Sequence, residues 1–145
     1  MMKHRIIALC ALAVSVFSTT ASAESTPVGT WRAIDDVSHQ VKALIRIEQL
    51  PNGELAGQIV KLLQHPDAVC DQCEGERKGK PDLGMTILWG LRPDGDAWSG
   101  GHILDPQSGE IYRAELKLLG DGGRMEVRGF VGFSLLGRSQ IWLRE

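Results

Sequence analysis

The residue types best suited to chemistry in this chain are two thiols at close spacing, in Cys70-Asp71-Gln72-Cys73. Three chemistries fit such a pair: a disulfide staple, a metal site, or thiol–disulfide exchange. A metal site would recruit His65 to give His-x4-Cys-x2-Cys, which is three ligands where structural zinc takes four. Exchange needs a thiol of lowered pKa beside positive charge, whereas Asp71, Glu74 and Glu76 crowd this pair with negative charge. The staple is the favoured reading, and so short a ring constrains a loop rather than a fold.

A second constellation lies in the C-terminal half: His102, Asp105, Tyr112, Arg128 and Arg138. Tyr112 shares parity with Ala114, Leu116 and Leu118, so its ring is predicted to point inward with a hydroxyl that needs a partner. An inward Arg128 or Arg138 would suit a carboxylate or phosphate head group, which a guanidinium grips with two parallel hydrogen bonds. Placed outward, the same arginines would cover the exterior or bond turn carbonyls. With Trp98 added, the candidate ligand-binding set is Trp98, His102, Tyr112, Arg128 and Arg138. His39, His65 and His102 occur singly, and no Gly-x-Ser-x-Gly, Walker-type loop, Gly-x-Gly-x-x-Gly or His-Glu-x-x-His is found. The expectation is a non-enzyme with no cofactor.

The chain that must position these residues is 145 long, 43% hydrophobic and 23% charged, with a net charge of −2. That is globular composition, long enough for one domain, and it offers no basic patch for nucleic acid. Residues 1–23 read as a secretory signal. Lys3 and Arg5 precede an apolar run over residues 6–17, and Ala21-Ser22-Ala23 supplies a small-x-small cleavage pattern. The run is short of the roughly 20 residues a bilayer span requires. No other stretch reaches that length, so no membrane span is expected after signal removal. The expected mature protein is a single domain over residues 24–145 in the periplasm, where two close thiols pair.

Within it the dominant period is two. Val41, Ala43, Ile45 and Ile47 alternate with Lys42, Leu44, Arg46 and Glu48, and Asn52-Gly53 then predicts a hairpin turn. Further strands are predicted over residues 28–34, 54–63, 83–92, 97–104, 112–118, 124–131 and 140–144. Tight turns at 93–96, 105–109 and 120–123 separate some of them. No apolar pattern holds helical spacing for three turns. Eight sequential strands without crossover helices predict an all-β, antiparallel up-and-down barrel. Glycines inside the strands suggest bulges where the sheet curls. Residues 64–82 stand apart as a long polar loop, expected to be solvated.

Gly29-Thr30-Trp31 on the first strand, with Arg144 two residues after Trp142 on the last, resembles the calycin signature of lipocalins and fatty-acid-binding proteins. The resemblance implies that Trp31 plugs one barrel end and that Arg144 packs across its indole. A closer resemblance covers nearly the whole mature chain. It runs through Lys78-Gly79-Lys80-Pro81, Gly84-Met85-Thr86-Ile87-Leu88, Trp98-Ser99-Gly100-Gly101-His102 and Leu136-Gly137-Arg138-Ser139-Gln140-Ile141-Trp142. These stretches are similar to a small exported bacterial family catalogued as domain of unknown function twenty-one forty-seven. That resemblance implies a periplasmic lipocalin-like barrel with no established enzymatic activity. Many members lack the Cys pair, so a function resting on it would not be family-wide.

The expected function is binding of a small apolar or amphipathic, fatty-acid-like ligand, with Trp98, Tyr112 and the Cys loop at the mouth. Two other readings stand beside it: an interaction or envelope-maintenance module with a filled barrel, and a metal carrier through His65, Cys70 and Cys73. An eight-strand barrel holds side chains or one small ligand, so interior volume decides.

Overall fold

The computed structural model describes residues 26–145, and the expected leader, with Cys10, lies outside them. Eight strands follow in chain order: β1 (Gly29–Ile34), β2 (Val41–Gln49), β3 (Leu55–Leu62), β4 (Thr86–Asp94), β5 (Ala97–Leu104), β6 (Ile111–Leu119), β7 (Arg124–Phe130) and β8 (Arg138–Arg144). Each pairs antiparallel with its sequence neighbour, and β1 pairs with β8 to close the barrel. Two single-turn 3-10 segments, Gly75–Arg77 and Ser134–Leu136, are the helical elements among the described residues. No helix there is long and apolar enough to cross a membrane.

The alternation read along the chain is the alternation of the wall. Ala43, Ile45 and Ile47 on β2 are buried, and so are Ala114 and Leu116 on β6 and Met125 and Val127 on β7. The short turns β2–β3, β4–β5 and β6–β7 gather at one end of the barrel, where Trp31, Ile47, Leu55, Leu91, Leu116 and Met125 fill the interior. The longer connections, residues 35–40, 63–85, 105–110 and 131–137, gather at the other end.

Parity breaks once on β5. Trp98 pairs with Leu116 and Gly101 with Ala114, so three steps on β5 match two on β6. Gly100 takes the surplus residue at φ +78, a left-handed conformation that side chains resist. Gly101 then sits so close to β4 that a Cβ would lie 2.3 Å from the Trp89 carbonyl oxygen. Trp98 and Gly101 keep the inward direction, and His102, which strict alternation would aim the same way as Trp98, turns outward.

The filled end is sealed by Trp31. Its indole is fully buried and its Nε1 donates to the Pro27 carbonyl at 2.8 Å. The Arg144 guanidinium lies 4.3 Å from the ring centroid and donates to the carbonyls of Gly122, Val28 and Thr26 at 3.0, 3.0 and 2.9 Å. Covered on one face by the indole, this cation places three of its five N–H donors on backbone carbonyls.

Candidate functional site

A cavity of about 810 Å³ occupies the loop end of the barrel. Small inward residues create it. Ala33 and Ala43 are cross-strand partners on β1 and β2, and both line the space, as does Gly129 on β7. Ile45, Ile59 and Ile87 give it apolar walls, and Trp142 adds an indole whose Nε1 donates to the Gln140 side chain at 3.2 Å. Close packing toward the filled end and small side chains toward the loops thus divide the barrel into a solid floor and a hollow upper part.

The loop of residues 63–85 forms part of the rim, and it is folded rather than merely solvated, contrary to expectation. Val69 and Pro81 form a β-bridge. The Cys70 N–H donates to the Lys80 carbonyl at 2.8 Å, and the Asp82 N–H to the Ala68 carbonyl at 2.9 Å. Cys70 and Cys73 are joined in a disulfide that is almost wholly buried. The joined sulfurs leave no thiolate to ligate a metal with His65, which is exposed at the rim. The loop docks on the β5–β6 turn. Cys70 Sγ lies 3.2 Å from the Pro106 carbonyl oxygen. Gly109 meets Gln72 so closely that a Cβ would fall 2.0 Å from its carbonyl oxygen. Outside, the Arg77 guanidinium lies 4.7 Å from the Trp89 ring centroid and adds a third anchor.

Reduction of the disulfide is expected to cost about 2 kcal/mol or less of global stability, as suits so short a ring. Limited proteolysis by trypsin after Lys78 is expected to accelerate clearly, because the ring anchors this strap to the rim. Equal cleavage rates with and without reductant would show that the backbone bonds suffice alone.

The rim is charged on both signs. Lys42 and Arg138, from β2 and β8, line the mouth, as do Asp71, Asp82 and Asp105 from the loops after β3 and β5. Asp82 is 7% exposed, and its Oδ1 has no hydrogen-bond partner among the described residues. Burial, then the charges of Asp71 and Asp105, push its carboxyl above the ordinary value of 3.8. The folded chain therefore holds this proton at pH values where the unfolded chain has released it. Stability falls as pH rises from 3.8 through the folded value and levels off above it. Asp82→Asn is accordingly expected to melt higher than the native chain near neutrality, with the difference vanishing in acid below 3.8. An identical difference at both pH values, followed by circular dichroism, would show that ionisation of Asp82 is not its cause.

Of the residues singled out by sequence, Tyr112 and Arg138 line the cavity. The Tyr112 hydroxyl donates to the Glu110 carboxylate, which with partial burial raises the phenol above its ordinary value. Arg138 is exposed at the rim, opposite Gly129 on β7. Arg128 points outward and donates to Ser139 Oγ at 3.0 Å, while that hydroxyl donates to Glu126 at 2.6 Å. His102 stacks on Trp89 outside the barrel, ring centroids 5.7 Å apart. Trp98, expected at the mouth, packs instead against the core at the filled end, because its hairpin turns there. Lys42, Asp82 and the Ala33–Ala43 pair are among the lining residues that sequence reasoning missed. Of these, the alanines were visible as inward positions of small size.

A family model described as "Uncharacterized protein conserved in bacteria (DUF2147)" matches residues 29–144. Among solved structures, the chain is similar to protein HP1028 from the human pathogen Helicobacter pylori, described as belonging to the lipocalin family. The TM-score is 0.73 over 84% of each chain, at 13% sequence identity. At that identity the likeness is one of fold. No curated protein matches.

Proposed function

The chain belongs to this family of uncharacterized bacterial proteins, and on that premise we propose that it binds one small apolar or amphipathic ligand inside its barrel and does no chemistry on it. The observation that carries the reading is the cavity of about 810 Å³, open at one end of a barrel whose other end is solid. Ligand pockets typically span roughly 300–1,000 Å³ and combine apolar walls with a few polar groups. Here an acyl or ring system would lie against Ile45, Ile59 and Ile87, and a polar head would remain at the rim near Lys42 and Arg138. A fatty-acid-like ligand meets both requirements, because its carboxylate suits a guanidinium. Placement in the periplasm belongs to the same reading, supported by a disulfide that an oxidising compartment sustains.

The test is native mass spectrometry of freshly purified protein, followed by titration with a fluorescent fatty-acid probe. A copurified mass of lipid size, or saturable quenching of Trp142 in the cavity wall, is the expected result. Bare protein whose tryptophan emission ignores every probe would overturn the reading.

A further inference from the structure

Three carboxylates meet the cavity at its mouth: Asp71 and Asp82 from the connection after β3, and Asp105 from the turn after β5. No ion pair among the described residues includes any of them. Asp105 accepts from the Gln107 N–H at 3.0 Å. Asp82 is the most deeply set. It lines the cavity at 7% exposure, and its Oδ1 has no hydrogen-bond partner among the described residues. The charges that act on it, those of Asp71 and Asp105, are both of its own sign. A carboxylate kept from water without a partner is costly, and an incoming cation would relieve that cost. Tyr112 lines the same cavity close enough to feel the charge of Asp105, with its hydroxyl turned to Glu110. Two further rim acids are engaged: Asp35 accepts from the N–H groups of Val37 and Ser38, and Asp36 from the Gln140 side chain. The cations of the mouth, Lys42 and Arg138, stand on the two strands that flank β1, and Lys42 acts on Asp35. Among the described residues no three His, Cys, Asp or Glu side chains are grouped to hold a metal ion. An organic cation, held by hydrogen bonds and an aromatic face, needs no such grouping.

We propose that Asp82, with Asp71, Asp105 and Tyr112 around it, receives an ammonium group, so that the ligand of this barrel is an amine-bearing amphiphile. The inference rests on the reading of the cavity as a ligand site and adds a head group to it. The tail lies against Ile45, Ile59 and Ile87, and the ammonium donates to the Asp82 carboxylate, a hydrogen bond strengthened by charge on both partners. The Tyr112 ring offers the cation a second, aromatic contact. Lys42 and Arg138 remain for an anionic group on the same molecule, so a zwitterionic head suits the mouth as a whole. A simple fatty acid would engage the cations and leave Asp82 without a partner.

Isothermal titration calorimetry near neutrality with decylamine, decanol and decanoate tests the proposal, since the three probes share one tail. Decylamine is expected to bind the native chain at least about tenfold more tightly than decanol. Asp82→Asn, which should fold and melt higher than the native chain, is expected to erase that advantage while changing the decanol affinity by less than about twofold. Decanoate should bind this variant no more weakly than it binds the native chain. Ala33→Phe, which fills the cavity, should weaken all three probes, and amine binding that it leaves unchanged would belong to the acidic outer surface and overturn the proposal. Equal affinity for amine and alcohol, or an amine advantage that survives in Asp82→Asn, would also overturn it while leaving the cavity reading intact. Failure of all three probes to bind would instead overturn the cavity reading, and this inference with it.

Discussion

Trp31→Ala is expected to lower stability by about 3–5 kcal/mol, the range for deleting a large buried aromatic. Domains of this kind are stable by only about 5–15 kcal/mol, so the loss is a large share of the total. The position explains the size. β1 and β8 close the barrel through two registered pairs, Trp31 with Arg144 and Arg32 with Leu143, whereas β1 and β2 share six. Side chains therefore reinforce this seam. Arg32 reaches the Arg144 carbonyl at 3.2 Å and the Glu145 carboxylate at 3.3 Å, both on half-exposed groups that add little. The indole is the buried element of the seam. Removing it opens a void, strands the Pro27 carbonyl and takes away the surface on which Arg144 rests. Trp31→Phe should retain much of the packing and cost about 1–2 kcal/mol, chiefly for the lost hydrogen bond and the poorer fit. Urea unfolding followed by circular dichroism measures both. A loss below about 1 kcal/mol for the alanine variant would mean that the backbone ladder alone closes the barrel.

The second large effect is on binding rather than stability. Ala33→Phe and Ala43→Phe each place a benzyl group in the hollow part of the barrel, where about 810 Å³ is open. A new ring in a packed core costs typically 1–3 kcal/mol, because neighbours must shift. Here the ring enters free space, so stability should change by less than about 1 kcal/mol. Uptake of a fatty-acid probe should fall at least tenfold, equivalent to about 1.4 kcal/mol of binding free energy. Probe titration and urea unfolding of the same samples separate the two quantities. Unchanged uptake in a variant of native stability would place the ligand somewhere other than the barrel.

Much of this architecture could be read from residue order. Alternation around Val41–Gln49 and Ile111–Leu119, Asn52-Gly53 at a hairpin and the lack of helical spacing together leave few folds available. Gly29-Thr30-Trp31 and Arg144 sit where a tryptophan-sealed end requires them. What stayed hidden was whatever depends on absolute position around and along the cylinder. Trp98 and His102 have equal parity, yet the surplus residue at Gly100 sends one inward and the other out. Trp98 and Tyr112 are both inward, yet one strand end turns at the floor and the other at the rim. Asp82 lies in a segment without periodicity, and nothing in its neighbours announces a buried carboxyl. The fold of residues 63–85 was equally illegible, because Gly109 meets Gln72 across a long gap in sequence and without a side chain of its own.

The division between solid floor and hollow rim bears on how such a protein diversifies over generations. Exchanges at Ala33, Ala43 or Gly129 alter capacity and shape while leaving the determinants of folding around Trp31 untouched. Lineages sharing one scaffold can thus differ in the space they enclose, each step small and none obliging the framework to be rebuilt.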